Sequence, residues 1–194
     1  MSGSPRERKE RSLRTKRVAV SGMMVALGVI ILYMGSLIEV LDISMAAIAS
    51  LLCIIAVIEY GKIYAVMVFG ATALLAMLVL PEKYTPALYA LLIGYYPILK
   101  ELIERIGKKS IFSQRGFSVL RWVIKLVFFN CALLVFALVA KYILVLPESE
   151  KWMQITMFAL ANAVFVVYDV ALTRLISTYI FQVRARLRLP GGRM

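Results

Sequence analysis

The chain has 194 residues, 62% of them hydrophobic and 18% charged, with a mean hydropathy of +0.85 and a formal charge of +12. A soluble domain carries about 45–50% apolar and about 25% charged residues, and a water-soluble monomer of this length could not bury the surplus. These figures exclude a disordered chain, a collagen-like repeat and a secreted disulfide scaffold, and they predict an all-α, polytopic membrane bundle.

A basic tail, residues 1–17, comes first, with Arg6, Arg8, Lys9, Arg11, Arg14, Lys16 and Arg17. The membrane domain then runs over 18–181, and a second basic tail covers 182–194. A spanning helix needs about 17–25 mostly apolar residues. The first candidate runs from Val18 to Leu37, too long for a signal-peptide core and without a small-residue cleavage site. Glu39 and Asp42 bracket the turn to the second, Ile43 to Ile58. Glu59-Tyr60-Gly61-Lys62 is a short hairpin before the third, Ile63 to Leu80, with Gly61 free to take a left-handed conformation.

Two prolines and two charges in Pro81–Pro86 stop that helix and start the fourth, Thr85 to Ile103. Pro97 lies inside this fourth segment, so a short re-entrant segment is the competing reading. A polar loop opens at Gly107-Lys108-Lys109-Ser110; the fifth candidate is Trp122 to Leu146 and the sixth Met153 to Phe181.

Loop charges fix an orientation. Seventeen Lys and Arg residues fall in the tails and the loops on one side, against Lys83 and Lys151 on the other. That asymmetry predicts about six transmembrane helices with N- and C-terminus cytoplasmic, in the cell membrane. It also accounts for the net charge without nucleic acid as a partner. The tails are expected to touch anionic lipids, each Lys or Arg near such a surface contributing about 1 kcal/mol. Trp122 and Trp152, with Tyr33, Tyr84 and Tyr142, are expected at the membrane interfaces.

Polar groups inside a membrane are costly and need partners. Lys100, Lys125, Asn130, Asp169 and Arg174 share one leaflet and predict an intramembrane charge network, either a clamp between helices or a path for an ion or substrate. Asn162 lies seven residues before Asp169, on the same helix face with Phe165 or Val166. Tyr89, Tyr96, Trp152 and Asn162 are expected to line an outward-opening substrate pocket; interhelical glue is the alternative use of such residues. On the first helix Ala19, Gly22 and Ala26 form a small-residue face that lets another helix approach, from this chain or from a partner. Cys53 and Cys131 read as small core residues.

The chain contains no histidine, which removes His-based zinc sites and Ser-His-Asp triads. It has no Gly-x-Ser-x-Gly, Walker A loop or paired catalytic aspartates. No cofactor and no enzymatic activity are expected.

The basic tail followed by Val18-Ala19-Val20-Ser21-Gly22-Met23-Met24-Val25-Ala26, and the Gly61/Gly70 region leading to Leu80-Pro81, resemble the substrate-binding S-component of energy-coupling factor transporters. That family is a small six-helix bundle whose docking motif is two alanines spaced by three residues on the first helix; Gly22 and Ala26 stand in that pattern. The resemblance implies capture of a vitamin-like small molecule from outside. It also implies toppling within the membrane, and a separate transmembrane scaffold with partner ATPases. Glu39–Asp42, Pro81–Pro86 and Pro147–Lys151 would then help close over the ligand. The lack of histidine argues against a nickel or cobalt cargo. Two other classes fit the same residues: a scaffold for envelope assembly, and a small ion- or lipid-handling protein built around Asp169, Lys125 and Lys100. A homo-oligomer is compatible with all three.

Overall fold

The structure, a computed structural model, describes residues 4–109, 114–143 and 151–184. Among them there is no strand. The helices are α1 (Pro5–Leu37), α2 (Asp42–Tyr60), α3 (Lys62–Val79), α4 (Tyr84–Leu88), α5 (Tyr96–Lys109), α6 (Gln114–Tyr142) and α7 (Lys151–Thr178). Five of these segments are long and apolar enough to cross a membrane: Arg6–Leu37, Asp42–Tyr60, Lys62–Val79, Val119–Tyr142 and Lys151–Phe181. The protein is a membrane protein. The Pro147–Glu150 turn and Arg186, Arg188 and Arg193 of the C-terminal tail lie outside the described residues.

The basic tail is not irregular chain. From Pro5 it is helical and continuous with the first apolar segment. A capping box explains the start: Glu7 N–H donates to Ser4 Oγ at 3.4 Å, Ser4 N–H donates to Glu7 Oε2 at 2.9 Å, and Pro5 sits in the first turn.

Helices α1, α2 and α3 form one closely packed unit. Small residues permit this. A Cβ on Gly28 would meet Thr72 Cγ2 at 3.0 Å, and one on Gly35 would meet Met45 Cβ at 2.9 Å. The same unit buries Ala46, Ala49, Ala56, Ala65 and Ala76. Lipid is as apolar as Leu, so close van der Waals contact, rather than escape from water, holds such helices together. Large apolar side chains such as Leu74, Leu78 and Val79 accordingly stay on the outside.

The hairpin between α2 and α3 turns on Gly61, whose φ of +90° disfavours any side chain. Its N–H donates to the carbonyls of Ala56 and Val57 at 3.1 and 3.2 Å. At the opposite end Asp42, buried at the start of α2, accepts from Thr85 Oγ1 at 2.6 Å, and Glu82 accepts from the same hydroxyl at 3.1 Å. Lys83 Nζ donates to the Met77 and Leu80 carbonyls at 2.8 and 2.5 Å, satisfying two acceptors at the end of α3.

The fourth segment is broken. After α4 the chain makes a π turn, Tyr89–Ile93, in which Gly94 N–H donates to Tyr89 O at 2.7 Å. Gly94-Tyr95 is a turn, and α5 starts at Tyr96. Pro97 is the cause. A proline in a helix interior lacks a donor and clashes with the carbonyl four residues back, here that of Ile93; at a helix start it is tolerated. The break therefore falls just before it. Gly94 is required by crowding, because a Cβ there would meet Tyr89 Cζ at 2.7 Å and Phe69 Cε2 at 2.9 Å. The whole stretch Thr85–Tyr89 is buried among α1, α2, α3 and α6.

Cys53 is buried as expected, but Cys131 faces outward on α6. An apolar run on a membrane helix has lipid-facing and bundle-facing sides that are equally apolar, so hydropathy does not separate them.

Candidate functional site

The ionisable side chains inside the bundle converge on one carboxylate. On α7 a single face, Phe165, Asp169 and Leu172, is buried with spacings of four and three residues. Asp169 is 3% exposed. On α5 the fully buried Tyr96 and Lys100 are one turn apart, with the half-buried Glu104 one turn further on. On α6 Lys125 projects from the first turns of the apolar segment.

Tyr96 Oη donates to Asp169 Oδ1 at 2.5 Å. Lys100 Nζ donates to the same oxygen at 2.5 Å, to the Asp169 carbonyl at 2.8 Å and to Thr173 Oγ1 at 2.6 Å. Lys125 Nζ straddles the carboxylate, at 3.1 Å from Oδ1 and 3.2 Å from Oδ2, and donates to Glu104 Oε1 at 3.3 Å. Glu104 also stands 3.8 Å from Lys100. Two ammonium groups thus meet two carboxylates, and each buried charge has an opposite partner. The cluster ties α5, α6 and α7 together. Above it Phe129 stacks on Phe165 with ring centroids 4.2 Å apart, and Tyr96 meets Phe165 edge-on at 5.0 Å.

Next to the cluster, a half-open crevice of about 510 Å³ lies between α5, α6 and α7. Glu104, Lys125 and Asp169 form its inner wall, with Arg121, Trp122 and Arg174 also lining it. Its volume falls in the range of about 300–1,000 Å³ usual for small-ligand sites. Among the described residues no group of three or more His, Cys, Asp and Glu stands together as a metal site.

Of the residues expected in a charge network, Lys100, Lys125 and Asp169 come into direct contact. Arg174 lines the crevice without a contact to Asp169. Asn130 lies elsewhere: it forms a reciprocal amide pair with Asn162, Nδ2 to Oδ1 at 3.0 and 3.1 Å. Each amide also donates to the carbonyl one turn back on its own helix, Leu126 and Phe158.

The four residues expected to line an outer pocket are spread over separate neighbourhoods. Tyr89 is buried with its hydroxyl 3.4 Å from Cys53 Sγ. Tyr96 belongs to the charge cluster, Asn162 is taken up by Asn130, and Trp152 is 80% exposed at the start of α7. The sequence reading put Tyr89 and Tyr96 on one continuous fourth helix, whereas the structure divides them between the π turn and α5; sequence spacing also does not give the rotation of one helix against another.

Ala19, Gly22 and Ala26 are all exposed, and a Cβ on Gly22 would meet nothing within 4 Å. The glycines that bring α1 against its neighbours are Gly28 and Gly35.

Several residues around the cluster were not singled out from the sequence. Glu104 was readable as the i+4 partner of Lys100, and Thr173 as one turn beyond Asp169. Thr173 Oγ1 also donates to the Asp169 carbonyl at 2.8 Å. Tyr168 bonds Ser50 at 2.6 Å and joins α7 to α2; nothing in the sequence pattern pairs those two. Glu101, the residue after Lys100 and an intramembrane charge by sequence, pairs instead with Lys62 at 3.0 Å.

Comparison of the chain with family models, with curated proteins and with solved structures finds no match in any of the three.

Proposed function

We propose that this chain is a non-enzymatic transport subunit of the cell membrane that captures a small molecule from outside and works with partner subunits. The observation that carries the reading is the broken fourth segment at the centre of the bundle. Irregular backbone at membrane depth is tolerated only where protein or a cavity surrounds it, and transporters place solute sites at such discontinuous helices. Here α4 is packed against α1, α2, α3 and α6, the π turn against α2, α3 and α6, and α5 against α2, α3 and α6.

Counted as one crossing, this segment makes six. Both termini then lie in the cytoplasm, in keeping with the excess of Lys and Arg in the tails and loops of that side. In this orientation the Asp169 cluster occupies the inner half of the membrane, and Asp42, Glu82 and Thr85 the outer end. The cluster serves as the clamp that lets α5, α6 and α7 move as one body.

The bare face of Ala19, Gly22 and Ala26 supports a docking role. An S-component-like subunit would offer this surface to a transmembrane scaffold, and ATPases bound to that scaffold would supply the energy. The chain itself would hydrolyse nothing.

Gentle purification from the native host, read by native mass spectrometry, tests the proposal. It predicts a stoichiometric small molecule and co-purifying scaffold and ATPase subunits. Gly22→Leu should remove the partners while leaving thermal stability in detergent unchanged. A protein that is repeatedly empty and alone overturns the reading.

A further inference from the structure

We propose that the part of α1 standing outside the membrane is a docking helix for an acidic amphipathic helix of a protein partner. The inference is independent of the transport reading. It rests only on the apolar part of α1 crossing a membrane.

Shape is the first argument. Helix α1 runs without interruption from Pro5 to Leu37. Its run Val18–Leu37 fills a hydrocarbon core of about 30 Å, so the turns from Pro5 to Arg17 extend about 20 Å beyond that core on the same axis. Every side chain from Arg6 to Arg17 is exposed. A segment that only fixed topology would need charge, and irregular chain supplies charge equally well. Here the capping box of Ser4 and Glu7 holds the helix to its first turn.

Depth is the second. Lys9 and Arg6 stand about 14 Å and about 18 Å from the edge of the core, past a headgroup layer of about 6 Å. The screening length at physiological salt is about 8 Å, so anionic lipid attracts Lys16 and Arg17 strongly and Arg6 little. The outermost cations are left for a partner in the aqueous phase.

Pattern is the third. At 3.6 residues per turn, Arg6, Lys9, Leu13, Lys16 and Arg17 fall within about 100° of arc. The cations thus surround Leu13, which is 48% exposed. Glu10 stands at the edge of this stripe, and Arg8, which has a contact of its own, lies on the other side of the helix. An apolar position flanked by like charges is the arrangement by which one helix selects another of opposite charge. A phosphate backbone would gain nothing from Leu13 and would be repelled by Glu10, so the stripe favours protein over nucleic acid.

The test is photo-crosslinking of the full chain in membranes of its own host. The photoreactive residue benzoylphenylalanine takes the place of Leu13 or, on the opposite face, of Thr15. The adducts are digested and whatever is attached is identified by mass. The expected result is an adduct at position 13 whose attached peptide carries acidic residues at three- and four-residue spacing, with little adduct at position 15. Lys9→Glu should lower the yield at position 13 about tenfold or more, because like charges then meet. Arg11→Glu makes the same charge change on the opposite face and should leave the yield intact. Neither side chain packs on the bundle, so both variants should keep the wild-type melting temperature in detergent; should one lose it, the comparison of positions 13 and 15 decides. An adduct with lipid, nucleic acid or a peptide without that acidic spacing overturns the proposal. So do equal yields from the two positions, equal effects of the two charge reversals in folded protein, or no adduct at position 13.

Discussion

Asp169 is the residue on which the inner half of the bundle depends. It accepts from Tyr96, Lys100 and Lys125, and all four groups are buried. Asp169→Ala strands two ammonium groups away from water, and breaking a buried pair in this way costs about 3–5 kcal/mol. We expect a clear fall in melting temperature in detergent; an unchanged value contradicts the clamp. Lys125→Met should cost less, about 1–3 kcal/mol, because Tyr96 and Lys100 still satisfy the carboxylate. Equal losses for the two variants would mean that Lys125, not Lys100, is the main counter-charge. The expense of a charge in lipid made Lys100, Lys125 and Asp169 legible in the sequence as partners. Nothing of that kind marks Tyr89, Trp152 or Cys131, which hydropathy cannot orient toward bundle or lipid.

At the scale of the helix, the positions of glycine decide which faces touch. Gly35→Val on α1 drives side-chain atoms into Met45 Cβ, next to the α2 backbone, and overpacking of this kind costs about 1–3 kcal/mol. Gly22→Ala meets nothing and should leave the melting temperature unchanged. Equal losses at the two positions would contradict the packing of α1 described above. The Asn130–Asn162 pair joins α6 and α7, and a double-mutant cycle with alanine should give about 0.6 kcal/mol of coupling, in line with polar pairs between membrane helices. No measurable coupling would show that each amide is satisfied by its own helix. Helix starts and stops were readable from Gly61, Pro81 and Pro86, because backbone chemistry is local, whereas Pro97 was expected inside one fourth segment and instead marks the start of α5. The small-residue pair Gly22 and Ala26 was also visible, but only three-dimensional packing shows that it lies outside the α1–α2–α3 contacts. The helical tail was missed because charge obscured its capping box.

For the molecule as a whole, composition was sufficient to give membrane helices, and the loop charges predict an orientation. The number of crossings depends on one element, the broken segment from Tyr84 to Lys109. Its halves are each too short to be recognised alone, and its interior break follows from Pro97 and from the crowding at Gly94. If the segment crosses, the Lys and Arg excess lies on one side, the Asp169 cluster and the crevice share the inner leaflet, and the face of Ala19, Gly22 and Ala26 is presented to partners near that same side. The direct measurement is cysteine accessibility in intact cells, in a background with Cys53 and Cys131 replaced. A single cysteine tag is placed at the N-terminus, at the C-terminus or at Glu82, and an impermeant maleimide is applied. The account predicts labelling at position 82 and protection of both ends until the cells are opened. Labelling of the C-terminal tag in intact cells, with the N-terminal tag protected, would leave five crossings and contradict it.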